Sequence, residues 1–84
     1  MSPSRRARVA ALLEESPLTV AAVIADVRHL LAHGEWEMAF GTMCSWIYED
    51  DLPITRQHHA RLVALAEDMA TPESVRGLDE LLAD

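Results

Sequence analysis

Apolar residues recur three and four positions apart along most of the chain, which is the period of helices with one buried face. In residues 4–15 the stripe is short: Val9, Leu12 and Leu13, with Ser4 placed to cap the helix start. The pair Ser16-Pro17 ends it. A second helix is predicted over 19–33 from Val20, Val23, Ile24, Val27, Leu30 and Leu31, closed by Gly34 in a left-handed cap. A third, over 35–48, carries Trp36, Ala39, Phe40, Met43 and Ile47 on one stripe with Trp46 beside it. Both tryptophans and the one Phe and one Tyr fall in this segment, so it is expected to be the central helix, with Trp36, Phe40, Met43 and Ile47 in the core. Leu52-Pro53-Ile54 reads as an extended connector, and Thr55 as the cap of a fourth helix over 56–69 with Leu62, Leu65, Ala66 and Met69 inward. Thr71-Pro72-Glu73 is a helix start, and a fifth helix is expected from Val75, Leu78, Leu81 and Leu82, weakened by Gly77. The expected fold class is all-α: one compact domain over residues 1–84, a bundle of four to five short helices, with residues 1–4 and 83–84 frayed.

Charge adds a second pattern. Fourteen acidic residues face seven basic ones, a net charge of −7, and every basic residue is Arg. Such a chain repels phosphate backbones, so nucleic acid is not an expected partner. It attracts basic protein surfaces, or its charge simply keeps a small protein in solution. No apolar run nears the ~18 residues that span a bilayer, and nothing at the start reads as a secretory leader. With a single cysteine no internal disulfide can form. A cytoplasmic location with no membrane partner is the expectation.

The residue types that carry chemistry are sparse. His29 and His33 are four apart, as two metal ligands on one helix would be, and Glu35, Glu37 or His58 is the available third ligand. The HExxH form is absent, and two surface histidines at a helix end explain the spacing as well. His58 and His59 point about 100° apart and cannot share a metal, so they read as a polar first turn. Cys44 lies inside an apolar stretch and reads as a packing thiol, not a nucleophile. Phosphate-cradling glycine loops, nucleophile elbows and CxxC pairs are missing, and Glu49-Asp50-Asp51 lacks the alternation of an EF-hand. Ser16, Ser45 and Ser74 do not follow Asp at a central helix start, as the modified serine of an acyl carrier protein would. No enzyme, no cofactor and no metal are expected. What stands out is Glu49-Asp50-Asp51 at a helix C-terminus, where negative charge is unfavourable, next to Trp46 and Tyr48. Acids beside large amphipathic rings suit a protein-binding surface; a solvated helix end with its rings in the core is the alternative.

Three stretches resemble one family. His33-Gly34-Glu35-Trp36-Glu37-Met38-Ala39 is similar to the helix end, Gly, Glu, aromatic, Glu, apolar, Ala opening of the MafI family of bacterial immunity proteins. Met43-Cys44-Ser45-Trp46-Ile47-Tyr48-Glu49 resembles its Leu-Cys-Asp, apolar, Tyr-Glu stretch, and Asp51-Leu52-Pro53-Ile54-Thr55 its Asp-Ile-Pro-Ile-Ser turn. The likeness covers about half the chain closely. Ser45 departs from the acid common there, and the Arg-rich start and the stretch 71–84 have no counterpart. The resemblance implies a cytosolic protein that binds and neutralises a cognate secreted toxin, often a nuclease with a basic cleft. The interface residues expected on that reading are Glu35, Glu37, Tyr48, Glu49, Asp50 and Asp51. A second expectation, from the wealth of apolar helix faces, is a structural or regulatory interaction module acting as a homodimer; the chain's own state is expected to be a monomer or weak homodimer.

Overall fold

The computed structural model describes residues 4–83. Four α-helices follow one another: α1 (Arg5–Glu15), α2 (Ala21–Ala32), α3 (Trp36–Glu49) and α4 (Arg56–Asp68). Two 3₁₀ turns, Pro72–Val75 and Leu78–Leu81, complete the chain, and no strand occurs among the described residues. The all-α bundle is as the apolar spacing predicts. Its radius of gyration is 11.7 Å, close to the roughly 12 Å of a compact domain this long.

Helix α3 sits at the centre. It packs against α1, α2 and both 3₁₀ turns, with its most extensive contact to α2. Its inward residues Ala39, Phe40, Met43, Cys44 and Ile47 are fully buried and meet Val9, Val27, Leu62, Leu65 and Leu78 from the surrounding elements. The caps explain where the helices start. Ser4 Oγ accepts the Ala7 N–H at 3.1 Å, and Thr55 Oγ1 accepts the His58 N–H at 3.0 Å. Helix α2 begins at Ala21, two residues later than predicted, with Val20 at its cap and no side-chain hydrogen bond there.

Three helices end in the same way. After α2, α3 and α4 the chain turns through one left-handed residue: Gly34 (φ 75°), Asp51 (φ 54°) and Ala70 (φ 56°). In each case two backbone bonds close the turn: Glu35 N–H to Leu30 O and Gly34 N–H to Leu31 O; Leu52 N–H to Ile47 O and Asp51 N–H to Tyr48 O; Thr71 N–H to Ala66 O and Ala70 N–H to Glu67 O. These are Schellman closures, which satisfy carbonyls left open by the helix end. Glycine is the natural occupant, and Asp is tolerated, but Ala carries a Cβ penalty there. Ala70→Gly is therefore expected to stabilise the protein by about 1 kcal/mol, less than the full penalty because glycine also frees the unfolded chain. Thermal unfolding should show a midpoint about 4–8 °C higher.

Three expectations are corrected. Trp36 is not in the core: standing at the first position of α3, it has no preceding turn to lie against and remains 37% exposed. The fifth helix is two 3₁₀ turns divided by Gly77, which adopts φ 85°. A Cβ at Gly77 would stand 2.7 Å from the Tyr48 ring, so the glycine meets both the turn and the approach of that ring. His58 is not part of a polar surface turn but is buried, 5% exposed. At the two ends of the described chain, Ser4 caps α1, and Ala83 N–H donates to Ile54 O at 3.0 Å beside the Ile54–Leu82 bridge. The fraying expected at residues 1–3 and 84 lies outside the described residues.

Candidate functional site

Four arginines are held in ion pairs. Arg5 and Arg8 of α1 both reach Asp68 at the end of α4 at 3.2 Å; Arg28 of α2 reaches Glu14 at 3.1 Å; Arg61 of α4 pairs with Glu15. These pairs, each at least about one-third exposed, contribute little individually, below about 1 kcal/mol each, and each has one partner on α1. The stretch 34–55 contains Glu35, Glu37, Glu49, Asp50 and Asp51 and neither Arg nor His. None of these five acids is ion-paired among the described residues. Arg56, the next cation along the chain, is already engaged.

The six expected interface residues do not form one cluster. All are exposed, but Glu35 caps the start of α3 and Glu37 lies in its first turn, whereas Tyr48, Glu49, Asp50 and Asp51 occupy its far end. At 1.5 Å per residue the two groups stand about 20 Å apart. The far end is the denser one. Asp50 is the cap and Asp51 the left-handed residue, so two acids are fixed where the helix dipole opposes them. The Tyr48 ring lies over Gly77, and the Glu80 carboxylate comes within 3.3 Å of the same glycine's would-be Cβ, which adds a fourth acid to this corner. Sequence reasoning missed Glu80 because its place depends on the turn at Gly77. It also left Met38 out; with Trp46 it belongs to the outward half of α3, 58% and 41% exposed.

The chemically suggestive groups are elsewhere. His29 and His33 are exposed at the end of α2, their ring centroids 4.3 Å apart, and His33 Nδ1–H donates to the His29 carbonyl at 2.8 Å. That bond directs one ring nitrogen of the pair to backbone. No group of three His, Cys, Asp or Glu side chains among the described residues could hold a metal ion. Cys44 is buried, and desolvation pushes its thiol up to about 12. The thiol therefore stays protonated through neutral pH and is a packing group. Native protein at pH 8 is expected to leave it unmodified by Ellman's reagent over hours, with full reaction within minutes in denaturant.

A groove of about 200 Å³ runs between α1 and α4, floored by Ala7, Ala11, Leu12 and Ala64 and edged by Arg8 and Arg61. It is smaller than the roughly 300 Å³ at which ligand pockets begin, and both arginines are tied to Asp68 and Glu15. Its lining offers no nucleophile and no carboxylate. No described helix is long and apolar enough to cross a membrane.

Fold and surface together define a small helical bundle whose third helix carries exposed rings and, at its ends, acids with no ion pair among the described residues. Comparison with protein-family models, curated proteins and solved structures finds no match.

Proposed function

We propose that this protein is an immunity protein of the MafI type, which binds a cognate secreted toxin in the cytoplasm and has no catalytic activity of its own. The observation that carries the reading is the unpaired acidic and aromatic surface of α3 and its ends, where five of the net seven negative charges lie. The sequence likeness through residues 33–55 covers that same surface. A nuclease holds phosphate in a basic cleft, and a rigid acidic helix end fits such a cleft as a phosphate mimic. On this reading Glu49, Asp50 and Asp51 pair with toxin arginines or lysines, Tyr48 supplies apolar contact, and Glu35 and Glu37 engage a second cationic region.

The test is co-expression with the product of an adjacent toxin gene, read as growth rescue and as co-purification of the pair. Rescue with stable co-purification supports the reading; neither result, with both proteins expressed, removes it.

The second reading, a self-associating helical module, draws on the same exposed apolar residues. It predicts a dimer at tens of micromolar in analytical ultracentrifugation, whereas the immunity reading expects a monomer.

A further inference from the structure

Of the five large apolar side chains left exposed among the described residues, four lie on α3: Trp36, Met38, Trp46 and Tyr48. The fifth, Val20, stands at the cap of α2. Met38, Thr42, Ser45 and Glu49 follow one another at spacings of four, three and four, and Trp46 adjoins Thr42 and Glu49 on the same outward half. Helix α3 thus buries one half against the bundle and presents the other, with Met38 and Trp46 on either side of Thr42 and Ser45 and acids at both ends.

The charge distribution decides what can cover it. In a two-fold pairing through this face, with the helices antiparallel, Glu35 and Glu37 of one copy would meet Glu49, Asp50 and Asp51 of the other. Like charges would oppose at both ends, and α3 holds no cation to relieve them. A second copy is disfavoured, and a partner of opposite charge is selected.

We propose that the outer face of α3 docks a protein surface that presents an apolar strip between two cationic groups about 20 Å apart. Met38 and Trp46 take the apolar strip. Arginine at the Trp46 end can also lie over the indole face, an attraction that lysine or arginine makes with Trp more strongly than with other rings. The proposal rests on the toxin-binding reading and sharpens it, by stating the spacing of charges that the toxin must offer.

A direct probe is a labelled Ala/Leu helical peptide with an arginine pair at each end, the pairs about 20 Å apart. Its control has the same composition with all arginines at the centre. Fluorescence anisotropy at physiological salt is expected to show at least about tenfold tighter binding of the end-charged peptide. Met38→Arg, at an exposed position that leaves the fold intact by circular dichroism, and Trp46→Ala should each weaken it at least about tenfold. Equal binding of the two peptides, no binding of either, or wild-type affinity in both variants overturns the proposal. Growth rescue by the same proteins separates the two claims. Full rescue by Met38→Arg overturns this docking face and leaves toxin neutralisation standing. Variant-sensitive peptide binding by a protein that rescues from no toxin supports the face and removes the toxin reading.

Discussion

Under the proposed toxin-binding function, replacing Glu49 and Asp50 by Lys and Asp51 by Asn, which a left-handed position tolerates as it does Asp, is expected to weaken toxin binding by about a hundredfold or more, roughly 2.8 kcal/mol, while making the protein more stable. The two effects have opposite signs because the same charges serve opposite ends. Glu49 is the last residue of α3, Asp50 its cap and Asp51 the left-handed residue beyond. Acids there oppose the helix dipole, and cations are favoured by about 0.3–1 kcal/mol each. The triple variant also removes most of the net −7 charge and its self-repulsion. A thermal midpoint several degrees above wild type is the expected result. Against a basic partner the loss falls largely on the association rate, which also loses its dependence on salt. Surface plasmon resonance at two ionic strengths, beside thermal melts, reads both. A more stable variant that binds as tightly and as salt-sensitively as wild type would show that these acids only solvate a helix end.

Much of the fold is legible in the sequence because each long helix buries one stripe, and three- and four-residue spacing marks that stripe directly. The failures have physical reasons. Aromatic content identifies α3 as central but not which way each ring points. Trp46 precedes Ile47, and neighbours on a helix diverge by about 100°, so a buried Ile47 turns Trp46 towards the surface. Val75, Leu78 and Leu81 are three apart, a spacing that fits 3₁₀ as well as α geometry. What divides that segment is Gly77, whose left-handed backbone lies under the Tyr48 ring, a tertiary approach with no local trace. The candidate site is legible in part. That Glu35 and Glu37 stand a helix length from Glu49–Asp51 follows from counting residues; that Glu80 joins the far group does not.

His58 shows a signal that was present but masked. Its neighbours Arg56, Gln57 and His59 suggest a polar turn, yet it lies four, seven and eleven residues before Leu62, Leu65 and Met69, all buried. Position therefore puts it on the apolar stripe of α4. Its chemistry is used there. Nε2–H donates to the Leu12 carbonyl at 3.1 Å, one of the acceptors left open where α1 ends. Ser16 closes the neighbouring Leu13 carbonyl through its own N–H and hydroxyl. The other ring nitrogen, Nδ1, has no hydrogen-bond partner among the described residues.

His58→Ala is consequently expected to have the largest effect on stability, about 3 kcal/mol. It removes a buried bond between α1 and α4, strands the Leu12 carbonyl and opens a ring-sized void. For a domain whose total stability is about 5–15 kcal/mol this is a large share, and the thermal midpoint should fall by about 15 °C. His58→Gln provides the discriminating control. Its side-chain amide places a donor near the position of Nε2, so it should recover part of the loss, whereas Leu, of similar bulk without a donor, should recover only the packing. Arg61→Ala, which breaks a half-exposed ion pair between the same two helices, should cost less than about 1 kcal/mol. A His58→Gln variant no more stable than His58→Leu would mean that the imidazole holds α1 by packing alone. Recovery specific to Gln would mean that one side-chain hydrogen bond fixes the end of α1 on α4.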